Sequence, residues 1–492
     1  MVVNSISFLL FFAVVFIVYY LLKGKDGKRQ NLWLLVASYF FYGYTEWRML
    51  PLLIFTTLFF YGLGIAIGYY NEKDEKKASF LTTFSVLGGI SILLYFKYLN
   101  FFVESFSNFF NAVGLHTNGY AFSIIMPLGI SFFTFKLISY VIEVHRRHIE
   151  PCRNLVAFAT YIGFFPTILS GPIDRPKQFL GQLSHSRTFD YAMVVDGSRQ
   201  ILWGMFKKMV IADNLAMITS GAWGNYESLP GNLLFANALL YTFQMYTDFS
   251  GYSDMAIGVG KLLGIKVAKN FNYPFFAHNV AEYWRCWHMS LTSWLTDYVF
   301  MPLNIRFRDW GLKGILLAVI INLMAVGMWH GANYTFALFG LYHGLLFIPL
   351  VMNGSFMKKR KEIVGKYGLP RLQDLGKMLG TYLLVTLGLI IFAAPSVTVA
   401  GDYVWRMITE MATVPNHGII GQFIISEKTL LVPVLTSLAL IVIEWKNRKR
   451  EYGLCLVTDV SNKYVRYLIY QAIILAILFF QGVTATFMYF QF

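Results

Sequence analysis

Residues 5–22 read SISFLLFFAVVFIVYYLL, eighteen positions without a charge, with Lys23 directly after them. About 18 to 20 such residues, wound as a helix, cross the hydrocarbon core of a bilayer. The run has no basic leader and no small-residue cleavage site before Lys23, so it reads as a retained span and not as a signal peptide. Apolar blocks recur at 49–70, 78–96, 314–328, 332–352, 378–394, 429–443 and 464–480. Only 14% of the chain is charged and 57% is hydrophobic, against about 25% charged in a soluble globular protein. Allowing for broken helices, the blocks predict roughly ten to twelve spans of about 20 residues. The fold class is then an all-α polytopic membrane protein, with few residues left for a soluble domain.

The net charge of +15 does not point to nucleic acid, because the basic residues sit in short connectors beside the apolar blocks. Lys23, Lys25, Lys28 and Arg29 follow the first block, residues 358–361 (KKRK) follow another, and Lys446, Arg448, Lys449 and Arg450 a third. Basic connectors stay on the cytoplasmic side. That makes the chain a multi-pass membrane protein with its N-terminus outside. The three cysteines, Cys152, Cys286 and Cys455, are too scattered for a disulfide framework or a metal site.

Texture divides the chain without dividing it into domains: we expect one transmembrane domain over 1–492. Residues 1–115 are simple apolar spans, and residues 377–492 return to that pattern after a cytoplasmic loop near 356–374. Between them, over 121–350, polar and ionisable residues interrupt the apolar runs. Ionisable groups at membrane depth cost at least a few kcal/mol and persist where they pair or line a cavity. The catalytic core is therefore sought there. Segments 164–179, 246–276 and 281–302 are too polar for lipid and too aromatic for exposed loops. Irregular backbone at that depth is tolerated only inside protein or beside water, so re-entrant or short buried helices are expected.

Of nine histidines, His145, His148, His185 and His417 fall in polar connectors, and His116 and His278 are similar. His288, His330 and His343 lie in apolar surroundings. At helical spacing Trp284, His288, Leu291 and Leu295 share one face, which puts a histidine in an aromatic stripe beside Arg285. An amphipathic helix at the membrane interface would give the same composition. His330 closes the uncharged run 314–328 within Trp329-His330-Gly331-Ala332-Asn333, where the small residues permit close approach. A neutral imidazole, with a pKa near 6.5, can take a proton from an attacking hydroxyl. His343 reads as a packing group. There is no G-x-S-x-G elbow, H-E-x-x-H or P-loop, which removes serine hydrolysis, zincin chemistry and nucleotide hydrolysis.

Read together, these segments resemble the membrane-bound O-acyltransferase (MBOAT) family, and within it the bacterial alginate O-acetyltransferase branch. The resemblance rests on residues 126–135 (MPLGISFFTF), 163–166 (GFFP) with 170–173 (SGPI), 248–258 (DFSGYSDMAIG), 270–274 (NFNYP), 284–294, Trp329-His330-Gly331, and the terminal 487–492 (FMYFQF). It implies an MBOAT-type ring of helices around a central two-sided funnel. It also implies that the family's catalytic histidine falls on His330 and its partner on His288. Trp287, Trp329, Arg285 and Asn333 become the candidate substrate-binding residues. The donor is then a cytoplasmic acyl thioester, most simply acetyl-CoA, with no metal. The acceptor is an extracytoplasmic hydroxyl, such as that of a cell-surface polysaccharide, reached through an acetyltransferase-like partner protein.

The pattern departs from that branch at Cys286 and Thr296, where arginines are common, and this removes two cations that could meet the donor's phosphates. Residues 170–175 (SGPIDR) and 287–290 (WHMS) also resemble the D-alanyl transferase of teichoic acid modification, which uses a carrier-protein thioester. The mechanism expected is general-base catalysis by His330, with His288 orienting the acyl group or stabilising the oxyanion. Trp287 and Trp329 would exclude water. A polytopic transporter is the rival from another class, and no charge pairs spread over several spans are evident in the sequence.

Overall fold

The computed structural model describes residues 1, 3–115, 122, 124–356, 358, 368–413, 427–483, 485, 487 and 488. Lys359, Arg360, Lys361, His116, His417 and residues 489–492 lie outside them. The described residues form helices and turns, with no strand among them. Among the described residues, six stretches are long and apolar enough to cross a membrane: Lys28–Lys73, Glu75–Ala112, Leu312–His330, Tyr334–Met352, Leu372–Ala393 and Lys463–Phe480. The run that opens the sequence gives a 16-residue helix, Ile6–Leu21, started by Ser5, whose hydroxyl accepts the Phe8 amide at 3.2 Å. In Lys463–Phe480 only 6% of the most apolar window is buried, and Leu468, Leu478 and Phe479 stand exposed. Apolar surface of that extent is stable against lipid and not against water. The chain is a multi-pass membrane protein.

Two compact units are distinguished. The first comprises residues 1–198 and 256–268. Its core is the helix Ile130–His145, which is buried at every position from Ile130 to Val141. Gly64 and Gly89 on neighbouring helices admit the Tyr140 and Ile138 side chains, where any Cβ would collide. Small residues let helices approach closely in a membrane. Residues 164–174 are buried and non-helical, as expected for the 164–179 segment. Their backbone is satisfied internally: the Thr167 and Ile168 amides donate to the Phe164 carbonyl at 3.0 Å, and the Phe165 amide donates to the Ser38 hydroxyl at 3.1 Å. Gly129, at φ 72°, passes so near the Ile168 carbonyl that no other residue fits.

The second unit comprises residues 199–255 and 269–492. Its central feature is a helical hairpin, Leu312–His330 followed by Tyr334–Leu346. A Cβ on Gly327 would meet the Phe336 carbonyl, and one on Gly340 would meet the Leu323 carbonyl. The two backbones therefore touch, and this contact fixes the end of the first helix, where His330 sits. The sequence expectation of short helices over 281–302 holds for Val280–Cys286 alone, because Met289–Leu295 runs on without a break through a π-helical turn, Thr296–Phe300, into Met301–Arg306. Residues 246–262 differ from it, being the latter half of one 32-residue helix, Gly231–Leu262. Gly251 does not break that helix because it packs on the Gly204 carbonyl.

Candidate active site

His288 does not sit inside a helix, as its spacing had suggested. Trp287 is extended, and His288 takes the left-handed conformation (φ 43°, ψ 51°) that links two helices. Left-handed non-glycine residues are uncommon and concentrate at functional sites. The turn is braced by residues 270–272, which run alongside it. The Met289 amide donates to the Asn270 carbonyl at 2.8 Å, and the Asn272 amide to the Cys286 carbonyl at 2.9 Å. Asn270 is fully buried. Its Oδ1 lies 3.0 Å from His288 Nδ1 and accepts from the Ser290 hydroxyl at 2.9 Å and the Ser290 amide at 3.3 Å, while its Nδ2 donates to the Ser253 hydroxyl at 3.1 Å.

The His288 ring stands edge-on to Phe249 at 4.7 Å and to Trp329 at 5.5 Å. His330 is 6% exposed and stands edge-on to the same Trp329 at 4.9 Å and to Phe392 at 4.9 Å. One indole thus touches both imidazoles. The rings of Phe249, Trp329 and Phe392 give the two histidines apolar walls, and burial among them strengthens electrostatic interactions there.

The other predicted residues fall elsewhere. Trp287 stacks on Tyr283 at 5.4 Å and meets Phe271 at 5.1 Å, and Phe271 in turn packs on Phe249, so Trp287 stands two rings behind His288. Arg285 is exposed and donates to the Phe356 and Lys358 carbonyls at 3.0 and 3.2 Å, which ties down a loop. Asn333 caps the helix Tyr334–Leu346 by accepting the Thr335 amide at 3.1 Å, and donates to the Pro395 carbonyl at 3.0 Å. Gly331 gives way to the Phe336 ring, so the space beside His330 is filled by protein. His343 accepts the Trp284 indole N–H at 3.3 Å, as a packing residue would. No disulfide forms at Cys152, Cys286 or Cys455, and no cluster of metal-ligating side chains occurs among the described residues.

Sequence reasoning gave Asn270 no role, and it missed a buried ionic network. A π-helical turn, Phe206–Ala212, carries Lys207 and Lys208 into the interior, 3% and 4% exposed. Lys208 pairs with Asp213 at 2.8 Å and Asp248 at 2.7 Å, and Lys207 pairs with Asp254 at 2.6 Å. Tyr246 donates to Glu444 at 2.8 Å. Such charge pairs are the feature expected of a transporter, and their presence removes that argument against one. A cavity of about 580 Å³ lined by Phe243, Phe275, Met378, Tyr382 and Trp445 is apolar and includes neither histidine among its lining residues.

With this geometry in hand, comparison with known proteins assigns a class. Residues 36–361, which include both histidines, match the model of the membrane-bound O-acyltransferase family, and the chain belongs to that family. It is a membrane-bound acyltransferase, and this membership outweighs the transporter reading. Among individual relatives, the chain is 36% identical to the probable alginate O-acetylase AlgI of Pseudomonas aeruginosa, over 84% of this chain and 75% of that one. It is 31% identical to the peptidoglycan O-acetyltransferase of Helicobacter pylori, over 68% of this chain and 67% of that one. It is 34% identical to the teichoic acid D-alanyltransferase of Bacillus subtilis, over 46% of this chain and 58% of that one.

Proposed function

We propose that this protein moves an acetyl group from a cytoplasmic thioester, acetyl-CoA, to an extracytoplasmic hydroxyl, for O-acetylation of a cell-surface polysaccharide. Residues 1–492 act as one catalytic domain in the bacterial inner membrane, with ten to twelve spans ringing a two-sided funnel and the N-terminus outside. The observation that carries this reading is the contact of one indole, Trp329, with both His288 and His330, in a chain whose relatives named as O-acetylases cover most of its length. The histidine pair has two tasks: taking the acceptor hydroxyl's proton and stabilising the oxyanion that forms on the thioester carbonyl. The sequence reading gives the first to His330 and the second to His288. Trp329 shields the thioester from water; a partner protein outside relays the group to the polymer, whereas a short soluble hydroxyl probe takes it from the chain directly. Arg285, exposed at the surface, would meet the donor's phosphates.

The donor test uses the purified full chain with a uronic-acid oligosaccharide as hydroxyl probe. Acetyl-CoA and a D-alanyl carrier-protein thioester are supplied in separate reactions. Acetyl transfer with release of the free thiol is the expected result. Transfer from the D-alanyl carrier alone would assign the chain to teichoic acid modification, for which the Bacillus subtilis relative is named.

A further inference from the structure

The first unit holds a cavity of about 610 Å³ that the acyl-transfer reading leaves unused. It lies where two helices begin, Lys28–Glu46 and Leu155–Gly163. Lys28, Arg29 and Arg153 line it, with no acidic side chain in the lining among the described residues. Lys28 Nζ is 3.0 Å from Asp26, which stands outside the lining. Arg29 and Arg153 are exposed, and neither guanidinium pairs with a carboxylate among the described residues.

A third arginine stands behind these groups. Asn31, in the cavity wall and 1% exposed, accepts from Arg187 Nη2 at 2.6 Å. The other Arg187 donors go to the Tyr19 hydroxyl at 2.7 Å and the His185 carbonyl at 2.8 Å. Arg187 is 6% exposed and has no carboxylate in that set, so its charge adds to the positive potential of the cavity. The two helix starts add to it as well, because the first turn carries the positive end of the helix dipole.

The rest of the lining is apolar. Leu32 and Leu155 stand 53% and 38% exposed beside the cations, and Val36, one turn on from Leu32, is 51% exposed. Exposed apolar side chains on a membrane-spanning helix meet lipid tails. The end of the unit that holds the cavity is basic beyond it. Tyr61 packs on Phe158 at 5.6 Å and Gly68 meets Pro151, so the helix Leu50–Lys73 runs back to this end and delivers Lys73, Lys76 and Lys77 there.

We propose that this cavity binds an anionic phospholipid, with Lys28, Arg29 and Arg153 on its phosphate and Leu32 and Leu155 along the start of an acyl chain. Basic pockets between membrane helices select such headgroups, and an arginine fork can hold two phosphate oxygens at once. A soluble phosphate ester would use the cations and leave the leucines without a partner. Lipid binding here is independent of which acyl group the chain transfers.

The test is native mass spectrometry of the full chain in detergent, with phosphatidylglycerol or phosphatidylcholine of the same acyl chains added. Retention of phosphatidylglycerol over phosphatidylcholine is expected. Arg29→Gln combined with Arg153→Gln should weaken that retention about 10- to 30-fold, the share of two cations beside an anionic headgroup. Arg29→Lys combined with Arg153→Lys, which keeps the charge, should preserve most of it. Lys73→Gln combined with Lys76→Gln removes as much charge from the same end outside the cavity, and should leave retention within about twofold, since exposed charges are screened over about 10 Å at 0.1 M salt. Equal retention of the two lipids, or equal loss in the two glutamine double variants, overturns the proposal. Displacement of phosphatidylglycerol by inorganic phosphate or coenzyme A also overturns it, and would make the cavity a site for soluble phosphates.

Discussion

His330→Ala and His288→Ala should each lower acyl transfer by about 10²- to 10⁴-fold, the usual cost of removing a positioned acid–base group, while the protein still inserts and extracts like the wild type. Both side chains are buried, at 6% and 1% exposure, so each truncation leaves a small cavity. The surrounding rings, Trp329, Phe249 and Phe392, remain in place. Alanine tolerates the left-handed backbone at position 288 at a cost of about 1–2 kcal/mol, which an otherwise intact unit can absorb. Activity is measured with labelled acetyl-CoA, and folding by size-exclusion profile after extraction. A His330→Ala protein that transferred acetyl at the wild-type rate would reduce His330 to a packing residue.

Lys208→Met should destabilise the protein by about 3–5 kcal/mol, because it leaves two carboxylates buried without their cation. Lys208 lies within 2.8 Å of Asp213 and 2.7 Å of Asp248, and all three side chains are nearly inaccessible. Asp248 Oδ2 also accepts the Met488 amide at 3.1 Å, and Lys208 donates to the Ala485 carbonyl at 3.2 Å, so the change also loosens the chain near its C-terminal end. The check is the thermal unfolding midpoint in detergent. Lys28→Met, which removes the exposed partner of Asp26, serves as the control and should leave the midpoint unchanged. An unchanged midpoint in Lys208→Met would mean that the ionic network bears no part of the unit's stability.

The division between what sequence reveals and what it hides follows from the range of the forces involved. Uncharged runs such as 314–328 announce spans because the bilayer imposes length and apolarity on each helix separately. His330 was legible for the same reason, standing at the end of one such run beside glycine. The break at Trp287–His288 was not legible, since nothing in Trp284 to Leu295 is a helix breaker. That turn exists because residues 270–272, distant in sequence, take up its backbone groups. Asn270 was noticed as part of a family motif but given no role, because its value lies in partners at 253, 288 and 290. Nothing in the sequence beside Lys207 and Lys208 marks them as buried. Only the folded unit supplies Asp213, Asp248 and Asp254 around them.

Sidedness of the reaction bears most directly on the central claim, that an acyl group enters from the cytoplasm and leaves on the other face past His288 and His330. The full chain is reconstituted in proteoliposomes of known orientation, and labelled acetyl-CoA is supplied on one side at a time with the uronic-acid oligosaccharide on the opposite side. Label should appear on the oligosaccharide only when donor is on the face bearing residues 23–29 and 446–450, and not at all with His330→Ala. Equal transfer with donor on either face, or transfer that persists in His330→Ala, would contradict it.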